Sequence, residues 1–177
     1  GVEFPFLPRQ LTLIGSFSIG LPGLILALAP NTNLVRPGFL KRVIRFSLPA
    51  GAIAAFSAWI VYCKSRNWAG PVIETHELAE ARTASTITLL LVGLIVLVVV
   101  SRPLRIWKIG LAVAMAGLQA CIIALPASRK YFELEWVDGR TWGYIAIVVA
   151  IAGICVAILP RLIPGILSSQ EKIELQR

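Results

Sequence analysis

Apolar residues in this chain come in blocks rather than in alternation. Five stretches contain no Asp, Glu, Lys or Arg: residues 10–35, 46–63, 83–101, 109–128 and 141–160, of 26, 18, 19, 20 and 20 residues. A hydrocarbon core about 30 Å thick is crossed by roughly 20 apolar residues in α-helical form. The blocks therefore predict five membrane-spanning helices, at about 11–29, 47–63, 83–100, 109–126 and 142–159. The run from Leu94 to Val100 is Leu and β-branched residues, and in a soluble protein it would suit a buried strand. A lone strand in lipid leaves its backbone unpaired, so a helix is expected there as well. The predicted fold class is all-α: an integral membrane bundle of five transmembrane helices, the first broken at Gly20 to Pro22.

The polar segments punctuate these blocks. Pro30 and the Asn31-Thr32-Asn33 cluster end the first span, and a basic loop with Arg36, Lys41, Arg42 and Arg45 follows. A longer loop turns at Gly70-Pro71 and ends in Glu74, Glu77 and Glu80. Arg102, Arg105 and Lys108 separate the third and fourth spans, and a mixed loop from Arg129 to Arg140 precedes the fifth. Pro160 and Pro164 break the last span ahead of a short polar tail. The chain starts at Gly1, and Val2 to Pro8 reads like the middle of something, so a fragment of a longer polypeptide is expected.

Composition narrows the class. Hydrophobic residues are 57% and charged residues 15%, against roughly 45–50% and about 25% in soluble chains. Mean hydropathy is +0.80. These values exclude a soluble globular enzyme, a disordered chain and a secreted disulfide scaffold. The net charge of +8 could suggest nucleic acid, but the basic residues lie between apolar runs and form no stripe, so no nucleic-acid partner is expected. Cys63, Cys121 and Cys155 all fall inside apolar runs and read as small buried hydrophobes.

Five crossings put loop 30–46, loop 101–108 and the tail on one side, which carries ten Lys and Arg against seven on the other. Segments 36–45 and 102–108 concentrate seven basic residues without an acid, and seven of the nine acids lie opposite. The basic side is therefore expected in the cytoplasm. Trp68, Trp107, Trp136 and Trp142 sit at or just beyond span ends, as interfacial anchors do.

No carboxylate, Lys, Arg or His lies inside any span. An ion site built here must use hydroxyls and backbone carbonyls, or ligands from elsewhere. The first span offers both in Ser16-Phe17-Ser18-Ile19-Gly20-Leu21-Pro22. Pro22 has no N–H, which in an α-helix frees the Ser18 carbonyl, and Gly20 eases an irregular backbone. The expectation is a local unwinding from Ser18 to Pro22 that turns Ser18 toward a polar path. The competing expectation is a plain proline kink with Ser16 and Gly20 in a small-residue contact. His76 with Glu77 and Glu80 echoes a zinc-protease helix but lacks its second His. Glu74, Glu77 and Glu80 suit the positive end of the third helix, and the acids of 133–138 suit a solvated face. The sequence contains no Walker loop, Ser/His/Asp set, paired-Cys site or nucleotide fingerprint, so no catalytic or cofactor-binding residue is expected.

Two motifs resemble a known family. Pro5-Phe6-Leu7-Pro8-Arg9-Gln10-Leu11-Thr12, followed by Gly20-Leu21-Pro22, resembles the entry to the sixth membrane helix of P-type cation-transporting ATPases. Glu80-Ala81-Arg82-Thr83-Ala84, with the run to Ser101-Arg102, resembles their eighth. The resemblance implies that residues 1–177 are a C-terminal transmembrane domain, helices six to ten, with the phosphorylation, nucleotide and actuator domains upstream. It implies cation transport, of calcium or another divalent cation, driven by ATP and Mg bound outside this chain. Where calcium pumps place Asn, Thr and Asp ligands, this chain has Gly15, Ser18 and Ile19, and a polar position of the eighth helix becomes Gly93. Ser18 and Gly15 are thus the candidate metal residues, and Gly20 and Pro22 the kink. The implied partners are the lipid bilayer, upstream helices and cytoplasmic domains of the same polypeptide, and the transported cation. The implied location is the cell membrane. The alternative is a self-standing five-helix structural or accessory protein without enzymatic activity.

Orientation is directly testable in a background lacking Cys63, Cys121 and Cys155. With Lys41→Cys and Glu135→Cys tested singly in intact cells, an impermeant thiol reagent is expected to label position 135 and spare position 41. The reverse pattern overturns the topology.

Overall fold

The computed structural model describes residues 5–28, 39–68, 75–101 and 106–162. Arg36, Glu74, Arg102, Arg105, the tail beyond Leu162, and the side chains of Lys41, Arg42, Trp68 and His76 lie outside the described residues. The elements are α1 (Pro8–Ile14), a π-helical segment (Gly15–Gly20), α2 (Leu21–Leu28), α3 (Phe39–Trp68), α4 (Thr75–Val100), α5 (Ile106–Ala124), α6 (Pro126–Phe132) and α7 (Gly139–Leu162). Among the described residues, five helical stretches are long and apolar enough to cross a bilayer: Pro8–Leu28, Val43–Arg66, Glu77–Val100, Ile106–Ala124 and Gly139–Arg161. The protein is an all-α membrane bundle, with α6 as a short extra helix outside the five spans.

Local chemistry sets the element ends. Pro8 opens α1 at a position where a missing N–H costs nothing, and the Gln10 side chain returns to accept the Leu7 N–H at 3.1 Å. Leu125 is extended because Pro126 follows it, which separates α5 from α6. Glu133 ends α6 in the left-handed region (φ 52°, ψ 46°), and the Leu134 N–H reaches back to the Arg129 carbonyl at 2.9 Å. Asp138 caps α7, its carboxylate accepting the Arg140 N–H at 3.3 Å.

Helix α4 is the centre of the bundle. Its spanning window is 56% buried, against 17–28% for the other four. Ala81 and Ala84 have no exposed surface, and Ser85 donates to the Ala58 carbonyl of α3 at 3.1 Å. Val61, Ala84, Ile87, Val137 and Ile145 form the core shared by α3, α4 and α7. The hydroxyls of Thr83, Thr86 and Thr88 bond back to the carbonyls four residues earlier, at 2.8–2.9 Å, so α4 buries polar residues without leaving them unpaired. Outward faces carry Ile19, Leu24, Phe56, Val113, Ile147 and Ile154, all well exposed. Cys121 and Cys155 are exposed on such faces and Cys63 is half-buried, which corrects the expectation that all three are buried.

A polar clasp closes one end, where α1, α4 and α7 begin and α5 ends. Gln10, fully buried, donates from Nε2 to the Glu133 carbonyl at 3.3 Å. The Thr86 hydroxyl lies 3.3 Å from Gln10 Oε1. Thr83 Oγ1 accepts the Glu135 N–H at 2.9 Å, and Glu80 Oε1 accepts the Asp138 N–H at 2.8 Å and the Thr141 hydroxyl at 3.4 Å. Arg9 pairs with Glu133 at 2.9 Å, and Arg129 stacks over Trp136 at 4.9 Å. The acids of 133–138 are therefore more than a solvated face, because Glu133 pairs with Arg9 of α1 and the Asp138 carboxylate caps α7. Glu80 likewise reaches across to the start of α7.

The clasp's energy should sit in its buried amide. Gln10→Leu leaves the Leu7 N–H and the Glu133 carbonyl without partners, and is expected to cost about 2 kcal/mol or more. Arg9→Ala breaks a half-exposed ion pair and should cost less than about 1 kcal/mol. Thermal unfolding of the two variants in detergent checks the order, and equal losses would contradict it.

A candidate cation path at a three-helix junction

The first span is interrupted just ahead of the expected Gly20 to Pro22 break, and the backbone does not unwind. Residues Gly15–Gly20 widen into a π-helical segment, and the Leu21 N–H bonds to the Ser16 carbonyl, five residues back. In that register the carbonyl opposite the missing Pro22 N–H is Phe17's, whereas α-helical spacing alone assigns Ser18's. A π turn absorbs an extra residue while keeping most bonds within the helix, which is the cheaper solution in hydrocarbon. Gly20 eases it: a Cβ there would make a tight contact of 3.2 Å with the Gly15 carbonyl oxygen.

Ser18 points inward. Its Oγ is buried and has no hydrogen-bond partner. It packs on Gly93 of α4, where an added Cβ would lie 2.9 Å from Ser18 Oγ and 3.1 Å from Ser18 Cβ. The close approach of the first span to α4 thus uses Ser18 and Gly93. Ser16 and Gly20, the expected small-residue pair, are exposed. Gly15 is exposed too, with open space around its Cα. The structure brings together Ser18 and Gly93, the two positions that the resemblance singled out on separate helices, and leaves Gly15 outside their contact. Among the described residues no group of three His, Cys, Asp or Glu could hold a metal.

One polar residue escaped the sequence reading. Gln119 of α5 is 4% exposed, and neither of its amide atoms has a hydrogen-bond partner. It is the only Asn or Gln within the fourth span, a signal that a search restricted to ionisable groups passes over. A buried amide left unpaired costs about 1–3 kcal/mol for each unsatisfied group.

A bundle of five apolar helices with a polar clasp at one end is the architecture of a multi-pass membrane protein. Similar chains narrow it further. The chain is 35% identical over 150 residues to the calcium-transporting ATPase CtpE of Mycobacterium bovis, covering 85% of this chain and 18% of the relative. The CtpE of Mycolicibacterium smegmatis matches at 35% over 153 residues, covering 85% and 19%. A Streptococcus pneumoniae chain that carries the name of a cation-transporting ATPase, exp7, matches at 27% over 143 residues, covering 78% and 17%. No family profile and no solved structure matches. The chain belongs to the P-type cation-transporting ATPases, as a counterpart of their C-terminal membrane region. It spans less than a fifth of the length of these relatives.

Gly93→Ala tests the close approach. The new methyl has to displace Ser18 Cβ, and is expected to destabilise the bundle by about 1–3 kcal/mol. Ser18→Gly removes both contacting atoms and should recover most of that loss in the double variant, read as a restored Tm. No recovery would mean that Gly93 is constrained by something other than Ser18.

Proposed function

We propose that this chain is the C-terminal transmembrane domain of an ATP-driven cation pump of the cell membrane, and that it forms one wall of the ion path. The carrying observation is the buried, unpartnered hydroxyl of Ser18 on a π-helical turn against a glycine. A hydroxyl and a proline-freed carbonyl, both in a helix interior, are oxygens that a hard cation accepts in place of water. Gly15, on the open side of the same turn, would offer its carbonyl toward the upstream helices. Neutral oxygens bind a divalent ion weakly, so acidic ligands are assigned to those upstream helices. ATP and Mg bind the cytoplasmic domains of the same polypeptide, and the basic loops face the cytoplasm. The mycobacterial relatives are named for calcium transport, which makes calcium the first cation to test.

The complete polypeptide in vesicles should show calcium-stimulated ATP turnover. Ser18→Ala should raise the half-maximal calcium concentration more than Ser16→Ala, because Ser16 is exposed on the far side of the turn. Pro22→Ala should lower maximal turnover by returning the span to a regular helix. Turnover insensitive to every cation tested would refute the pump reading. Equal calcium affinity in both serine variants would remove Ser18 from the path.

A further inference from the structure

Three helices supply buried residues at matching heights around Ser18. Ile14 of α1, Leu90 of α4 and Ile122 of α5 belong to one buried cluster. Leu97 of α4 and Leu111 and Met115 of α5 form another, with Leu21 of α2 packed against it. Between the two clusters lie Ser18, Gly93 and Gln119. Each stands three or four residues from the flanking cluster residues of its own helix, and so on the same helical face. This interval is the one layer of the junction without an apolar side chain at those positions. It contains the orphaned Ser18 Oγ and the orphaned Gln119 Oε1 and Nε2, with Ser18 packed directly on Gly93.

We infer that Gln119 is a further ligand-bearing residue of the cation path, contributing its amide oxygen from α5 in the layer that contains Ser18. The inference rests on the pump reading given above. Amide carbonyls are ordinary ligands of hard cations. A buried, unpaired amide between two apolar clusters is unfavourable for packing alone, where Leu or Met would fill the same volume without cost. The cation would enter with part of its water, and that water would satisfy the Nε2 donors.

The test uses the complete pump in vesicles, with calcium as the titrant and thermal unfolding as the second readout. Gln119→Leu is expected to raise the half-maximal calcium concentration about five-fold or more, the loss of roughly one ligand's worth of binding. Combined with Ser18→Ala, it should shift less than the product of the single shifts, as for two groups on one ion. Gln119→Glu keeps the shape and adds charge, and should lower the half-maximal concentration. It also serves where the Leu variant does not reach the membrane. Unchanged calcium affinity in the Leu or Glu variant, with Ser18→Ala still shifted, overturns the role of Gln119 and leaves the Ser18 path standing. A higher Tm in Gln119→Leu at unchanged affinity likewise overturns it, since that is the signature of packing alone. Absence of cation-stimulated turnover in the unmodified pump removes both.

Discussion

In hydrocarbon, a backbone or side-chain group that loses its partner has no water to replace it. That constraint explains the arrangement of this bundle. The threonine hydroxyls of α4 are tucked onto their own helix and the Ser85 hydroxyl is bonded to α3, so α4 packs on α3 and α7 with these hydroxyls paired. Groups that cannot be satisfied within a helix are gathered at one end, where Gln10, Thr83 and Glu80 receive them from neighbouring segments. Against this background of closed hydrogen bonding, a few unpaired atoms in the middle of the bundle stand out. Ser18 and Gln119 break the rule in the same layer of the same junction.

The residues that carry the family likeness have two different jobs. Much of the Pro5 to Thr12 and Glu80 to Ala84 motifs is committed to the clasp or to close packing: Gln10 and Glu80 bond across elements, and Ala81 and Ala84 let α3 approach. The Gly20-Leu21-Pro22 motif instead shapes the π turn that presents Ser18. Two of the recognisable motifs thus hold helices in register, while Ser18 and Gln119 lie in less distinctive stretches beside them.

Much of the fold was legible because span length is set by bilayer thickness and apolar blocks report it directly. The five spans follow from that alone. The form of the break in the first span was not legible. Proline removes a bond wherever it stands, but whether the chain unwinds or shifts to a five-residue register depends on what surrounds the turn. The clasp was equally hidden, since Glu80 and Asp138 are 58 residues apart and look like ordinary surface acids. Ser18 could be singled out from its distance to Pro22, whereas its partner Gly93 became a neighbour only through the parallel packing of two helices. Gln119 was present in plain view, as a neutral amide among apolar residues.

The clasp also gives the first span a mechanical character. Its bonded end is at Arg9 and Gln10, whereas α2, Leu21–Leu28, contains only Leu, Pro, Gly, Ile and Ala and can touch its neighbours through apolar contact alone. Apolar contacts slide where hydrogen bonds do not. The span is therefore a lever pivoted at its clasped end, with the π turn partway along the arm. From Gln10 to Leu28 is about 27 Å at 1.5 Å per residue, so a tilt of about 5° moves the far end by roughly 2 Å. At Ser18 the same tilt gives only about 1 Å, enough to alter an oxygen's distance to an ion without separating the helices.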